Sequence, residues 1–434
     1  MRSAAWCSPP TPPTTKHPRR GPHGVRGRGS PGRDRRGHAE LHADRVRGPS
    51  STATILGMPA TRKVPRVNTD AGCRDVETDT LDRDALRAAC TTFLHGHGHR
   101  TPAQLLAELS AQIEPDLYGA GGVVTALERE VAELLGLPAA VFLPSGTMAQ
   151  QAALRVHADR RGRRTLVFHP TCHLDIHEGG AYQRLHGLVG RPVGDASRLL
   201  TLDDLREVAE PPAALVVELP QREIGGLLPS WDDLVAQTEW ARERGAAVHL
   251  DGARLWECTP SYGRSPAAIA ALFDTVYVSF YKGLGALAGC CLAGPSDVVA
   301  EVREWRTRHG GTLFALWPYA ASALAALHDR LPRMPDYHRH AIAIADALRD
   351  MPRVEVVPDP PQTPMMHLLL NVDADLARER AVRMAADDGI WTWRQLAPTV
   401  SPHHQRAELA IGDATMRLTP AEVRGILTRL VDPR

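Results

Sequence analysis

The chain has 434 residues, 43% hydrophobic and 23% charged, enough to bury a large core as a globular protein. Its formal net charge of +1 hides an asymmetry: residues 1–50 carry 11 Arg/Lys against 3 Asp/Glu, so the remainder is net −7 and gives no reason to expect a nucleic-acid partner. No apolar run is long enough to span a bilayer, and the seven cysteines are scattered without metal-type pairing, which fits a reducing cytoplasm.

Residues 1–80 are rich in Arg, Pro, Gly and His and lack apolar periodicity, so a disordered leader is expected, with Met58 as an alternative start. The stretch has no apolar core of signal-peptide length. Leu81–Thr92 and Thr101–Gln112 then read as amphipathic helices. Between them, His95-Gly96-His97-Gly98-His99 reads as a loop, because glycines between histidines do not make a metal cage; no metal is expected. After the flexible turn Tyr118-Gly119-Ala120-Gly121-Gly122 come a helix, Val123–Leu135, and a strand, Ala139–Leu143. Pro144-Ser145-Gly146-Thr147-Met148-Ala149 follows and opens another helix. Strand, small-residue turn, helix is the geometry that offers free backbone N–H groups to a phosphate, although an ordinary Ser/Thr cap looks the same.

The alternation continues with strand Thr165–Phe168, strand Ala213–Leu219, helix Ser230–Arg244 and a strand from Ala246 to Leu250 that ends in Asp251-Gly252-Ala253-Arg254. Such repeats predict an α/β domain over residues 81–325, a mainly parallel sheet sandwiched by helices, with Cys290-Cys291 in a buried strand. A helical stretch from Leu316 to about Asp350 leads into a smaller α+β region over 326–434, with a strand at Met366–Asn371 and a helix at Ala374–Asp388. Core packing is expected for Met365-Met366-His367.

The chain holds three lysines, Lys16, Lys63 and Lys282, and only Lys282 lies in the body. It ends the β-rich run Tyr277-Val278-Ser279-Phe280-Tyr281 and opens the turn Gly283-Leu284-Gly285. A desolvated lysine can lose its proton and attack a carbonyl, which arginine cannot do. A pyridoxal 5'-phosphate (PLP) enzyme needs that lysine, a carboxylate against the pyridine nitrogen, a phosphate cup and a group on the ring face. Ser145-Gly146-Thr147, His173, Asp251 and Lys282 can supply these, in the chain order phosphate cup, stacking residue, carboxylate, lysine.

Residues from about Tyr118 to Gly311 resemble the low-specificity L-threonine aldolases, in the β-eliminating lyase group of fold-type I PLP-dependent enzymes. The resemblance rests on Pro144-Ser145-Gly146-Thr147-Met148-Ala149, on His173 with Glu178, on His249-Leu250-Asp251-Gly252-Ala253-Arg254-Leu255, and on Lys282-Gly283-Leu284-Gly285. It implies the fold-type I PLP-dependent transferase-like fold with its C-terminal domain, Lys282 as the Schiff-base lysine, Asp251 on the pyridine nitrogen and His173 stacked on the ring. It also implies phosphate contacts from Ser145, Gly146 and Thr147, polar contacts from Arg254, and a homodimer or homotetramer.

The expected reaction is cleavage of a β-hydroxy-α-amino acid to glycine and an aldehyde, with His173 or His177 as base. The alternatives are PLP-dependent β-elimination or racemisation, and a non-catalytic PLP-binding protein. The chain departs from the family at Leu219-Pro220-Gln221-Arg222 and at Gly310-Gly311-Thr312-Leu313-Phe314, where the family's substrate-carboxylate arginine is absent. Arg222, Arg394 and Arg100 remain as candidates for that carboxylate, with Tyr118 near the substrate.

Overall fold

The computed structural model describes residues 83–109, 112–401 and 403–432; the leader expected over 1–80 lies outside them. The main sheet has seven strands: β1 (Ala139–Leu143), β2 (Thr165–Phe168), β3 (Val189–Pro192), β4 (Ala214–Glu218), β5 (Ala247–Gly252), β6 (Thr275–Ser279) and β7 (Cys290–Gly294). Their order is β1-β7-β6-β5-β4-β2-β3. Strand β7 runs antiparallel to both its neighbours, and every other neighbouring pair is parallel.

Apart from the edge strand β3, both faces of this sheet are buried, and the alternation of side chains shows it. Val141, Leu143, Tyr277, Cys290 and Leu292 point into a cluster beneath helices Gly146–Arg161 and Ser296–Arg308. Ala140, Phe142, Val276, Val278, Cys291 and Ala293 point the other way, into the larger core that includes helix Gly122–Leu135 and helix Trp317–Arg330. Burying each large apolar side chain contributes roughly 1.5–3 kcal/mol, which is why the strand runs read as near-continuous hydrophobic stretches.

The smaller region is an antiparallel sheet of β8 (Val354–Val357), β9 (Met365–Asn371) and β10 (His404–Ala410), with Ala397–Pro398 pairing on the far side of β10. Met365, Met366 and His367 are buried in it. Along β10, Gln405, Ala407 and Leu409 are buried while Arg406 and Glu408 take the opposite face, a period-2 pattern. Its last helix, Pro420–Val431, starts where Thr419 and Glu422 form a reciprocal cap with proline in the first turn.

Two expected elements are corrected. The helix expected over 81–92 ends at residue 89, and Thr92–Phe93 instead pairs in parallel with Ile390–Trp391, as suits a β-branched and an aromatic residue. The helix expected over 101–112 is regular only over Pro102–Ala107, where Thr101 and Gln104 form the cap. The helical stretch after Leu316 divides into Trp317–Arg330 and Met334–Leu348 around a short turn carrying Pro332, so helix Trp317–Arg330 spans the expected 325/326 domain boundary.

Candidate active site

Register across the sheet brings three polar residues side by side at the strand ends. Glu218 of β4 lies opposite Asp251 of β5, and Asp251 lies opposite Tyr277 of β6. Cross-strand neighbours share a face, so all three face the cleft that also takes in Gly146, Thr147, His173 and Lys282. This is the carboxyl end of a parallel sheet, where α/β folds place their ligands.

Asp251 is buried, and burial raises its carboxyl above the usual range. It accepts hydrogen bonds from the Ala253 N–H, at 3.2 Å, and from the Gln150 amide. Glu218 accepts the N–H groups of His173 (2.9 Å) and Arg222 (3.2 Å). Burial, with the charge of Asp251 beside it, pushes Glu218 up to about 7.

Helix Gly146–Arg161 points its N-terminus at the cleft. Its capping residue, Ser145, makes no side-chain bond to the first turn, and no acidic residue occupies that turn. The first amides and the helix dipole are therefore available to an anion. Gly146 is demanded by packing as well as by any ligand, because a Cβ there would fall on the Tyr277 hydroxyl.

Lys282 sits just past β6, half-buried, with its ammonium 5.1 Å from the Tyr281 ring centroid. Burial, then the charges of Arg254 and Arg222, lowers its pKa below that of an ordinary lysine. The turn that follows is closed by Gly285 N–H on the Lys282 carbonyl, at 3.0 Å. Three cationic or imidazole groups from elsewhere hold its carbonyls: His97 Nε2 on Gly283 (2.8 Å), Arg330 on Leu284 (3.0 Å) and Arg100 on Gly285. Asp413 gathers two of these groups, lying 3.3 Å from His97 Nδ1 and 2.8 Å from Arg330. Burial alone would raise its carboxyl, yet hydrogen bonds from His97 and Tyr337 and the charge of Arg330 hold it well below the usual range. The glycine–histidine run is thus a structural brace for the lysine turn.

A Cβ on Gly283 would fall on Glu257 Oε1, which is itself buried. Gly283→Ala is expected to cost about 1–3 kcal/mol of stability, as overpacking does, read by denaturant unfolding; an unchanged midpoint would contradict this packing. Burial pushes Glu257 up to about 7 from its ordinary 4.5. Between those values the folded protein keeps a proton that the unfolded chain has released, so stability falls as pH rises through that window. Glu257→Gln removes this penalty. Its melting temperature relative to wild type should climb by a few degrees from about pH 4.5 to 7 and then level off. A pH-independent difference would count against the raised carboxyl.

His173 Nδ1 is 3.3 Å from Glu178, which also accepts from Gln151 at 2.8 Å. The Glu178 hydrogen bond, against the effect of burial, raises the His173 pKa. His177 lies beside it, ring centroids 5.1 Å apart, and bonds Glu223 at 3.0 Å. Arg254 and Arg222 converge on Glu408 of β10, at 3.3 and 2.7 Å. Burial would raise Glu408, but these two arginines lower it.

The structure therefore brings together Lys282, Asp251, His173, Gly146, Thr147 and Arg254, with Ser145 at the helix cap and Arg222 across from Arg254. The other three candidates lie elsewhere. Arg100 is engaged by the Gly285 carbonyl and by Glu108, at 2.8 Å. Arg394 is largely exposed and pairs with Asp84, at 3.2 Å, in a separate cleft of the smaller region. Tyr118 is exposed, packed edge-on against Phe314. Sequence reasoning missed Gln150, Glu257 and Glu408, none of which carries a motif; His97 it saw but read as loop.

A family profile described as β-eliminating lyase matches residues 98–371. The low specificity L-threonine aldolase of Escherichia coli K12 is 31% identical over 254 residues, 57% of this chain and 75% of that protein. A solved structure from Listeria monocytogenes EGD-e, assigned as an L-allo-threonine aldolase, is 38% identical with a TM-score of 0.75, covering 82% of this chain and 99% of that one. The fold alone is shared with a serine palmitoyltransferase solved with pyridoxal phosphate, at 15% identity and a TM-score of 0.58, over 83% of this chain and 97% of that one.

Proposed function

The chain belongs to the β-eliminating lyase family, and from that premise we propose that it is a PLP-dependent aldolase cleaving a β-hydroxy-α-amino acid, L-threonine-like, to glycine and an aldehyde. The observation that carries the reading is the convergence of Lys282, Asp251, His173 and the Gly146–Thr147 helix end on one cleft. These residues fit the cofactor: a lysine of lowered pKa, a buried carboxylate, an imidazole and an uncapped helix N-terminus answer its aldehyde, ring nitrogen, ring face and phosphate. When bound, PLP supplies an electron-accepting ring conjugated to the substrate's amino nitrogen.

The chain's own residues do the rest. Lys282, its pKa lowered by burial and by Arg254 and Arg222, gives up its proton more readily than an ordinary lysine, as exchange with the substrate's amine would require. Asp251 holds a proton on the ring nitrogen. Arg254 and Arg222 receive the substrate carboxylate, with Glu408 as the group they release or share. His173, made more basic by Glu178, takes the β-hydroxyl proton, with His177 as the second candidate.

Two observations extend the reading. The exposed apolar residues Leu117, Tyr118 and Phe314 support a homodimer or homotetramer that covers them. The five described cysteines are free and buried, which supports a cytoplasmic protein, and no described helix is long and apolar enough to cross a membrane.

The test is an absorbance titration of the purified protein with L-threonine and L-phenylserine while products are assayed. A cofactor band with equimolar glycine and aldehyde is the expected result. Ammonia with a keto acid would replace the aldolase with a β-eliminating lyase.

A further inference from the structure

Behind Asp251, away from the cleft, runs a line of buried polar side chains that the reaction itself does not use. His249, two residues before Asp251 on β5, shares its face and lies opposite Thr275 of β6. Helix Gly146–Arg161 crosses above them, and Gln150, His157 and Arg161 fall on one side of it, seven and four residues apart. The contacts are continuous. The Gln150 amide nitrogen donates to Asp251, and Gln150 Oε1 is 2.6 Å from His249 Nε2. His249 Nδ1 is 2.8 Å from Thr275 Oγ1, which is 2.7 Å from His157 Nε2. Arg161 Nη1 closes the line, 3.4 Å from His157 Nδ1. Gln150, His157, His249 and Thr275 are each 2% exposed or less.

The direction of every bond follows from the two ends. A carboxylate at Asp251 accepts only, so Gln150 turns its NH₂ toward it and its oxygen toward His249. That oxygen needs a donor, which places the single proton of neutral His249 on Nε2 and leaves Nδ1 to accept from the Thr275 hydroxyl. Thr275 Oγ1 in turn accepts from His157 Nε2–H, leaving His157 Nδ1 bare. Arg161 can only donate, and a bare nitrogen is what it faces. Burial keeps both imidazoles neutral, as this pattern needs. Reversing the line would set an N–H of His157 against the guanidinium.

We propose that Arg161, His157, Thr275, His249 and Gln150 form a one-directional hydrogen-bond relay whose donors all point toward Asp251 and hold it as the ionised partner of the cofactor's ring nitrogen. This rests on the PLP reading above. Glu218, Glu178, Tyr277, His173 and Lys282 face Asp251 from the other elements, and among the described residues its hydrogen-bond donors are the Ala253 N–H and the relay's Gln150. Aligned hydrogen bonds polarise one another, so the far members act on Asp251 through Gln150 as positioning residues.

The test breaks the line at its middle. Thr275→Val keeps the side chain's shape and removes the hydroxyl, and Thr275→Ser retains it. Each full-length variant, freed of cofactor, is titrated with PLP and with its 1-deaza analogue, in which a C–H replaces the ring nitrogen. Thr275→Val should weaken PLP binding about tenfold and leave the deaza analogue unaffected, while Thr275→Ser stays near wild type. Equal weakening of both compounds, or no weakening of PLP, overturns the relay. Wild-type protein that binds neither compound overturns the cofactor reading itself.

Nitrogen-15 NMR of the wild-type imidazoles decides the matter if the valine variant does not fold. Neutral Nε2–H tautomers at both His157 and His249 are expected, and an Nδ1–H tautomer at either rules the relay out.

Discussion

Lys282→Ala is expected to abolish the absorbance of covalently held cofactor and to lower turnover by at least roughly 10³-fold, the scale on which loss of a nucleophile that acts with its neighbours is felt. The side chain is the only amine of its kind in the body of the chain, and its pKa is already lowered by burial and two arginines. Lys282→Arg should be equally inactive, because a guanidinium cannot give up its proton in a protein. The fold should survive either change. His97, Arg330 and Arg100 hold the turn by its backbone carbonyls, not by the lysine side chain. An intact melting transition beside lost turnover is therefore the expected pairing, and turnover retained in the alanine variant would sink the assignment.

Asp251→Asn should be nearly as damaging, lowering turnover roughly 10²–10³-fold while the protein remains folded. The amide matches the carboxylate in size and can still accept the Ala253 N–H, but its NH₂ then meets that of Gln150, which loses its acceptor at this end. What is lost is charge, together with the acceptor for Gln150. Asparagine cannot hold a proton on the ring nitrogen, and the electron-accepting capacity of the ring falls accordingly. Cofactor affinity should weaken in parallel. A variant with close to wild-type turnover would show that the ring nitrogen has no need of an anionic partner here.

The sequence made six of the seven strands of the main sheet legible because they are buried, whereas the edge strand Val189–Pro192, exposed to half-buried, was missed. Ala139–Leu143 and Thr165–Phe168 are short apolar runs bounded by turn signals, and their observed limits coincide with the expected ones. Asp251 and Lys282 stood out as candidates because strand ends in an α/β sheet face the ligand crevice and because a lone lysine among arginines is conspicuous, and both line one cleft. Thr92–Phe93 was not legible as a strand: its pairing partner lies almost 300 residues away, and nothing local announces it. Glu408 was hidden for a similar reason. It occupies one face of an ordinary alternating strand, and only the approach of β10 to Arg222 and Arg254 gives it a role. Gln150 looked like any polar residue in a helix, since its two partners come from another element. His97 was read as loop, rightly, but a loop histidine becomes informative only once the Gly283 carbonyl is seen beside it.

The braces on the lysine turn come from residues 186 and 185 positions earlier in the chain and 46 positions later. Contacts of such sequence separation form late, after the entropy of closing long loops has been met by other interactions. During biosynthesis and refolding, Lys282 is an ordinary basic side chain until burial and the approach of Arg254 and Arg222 lower its pKa. The lowered basicity of this amine is therefore a property of the finished fold and is absent from the unfolded chain.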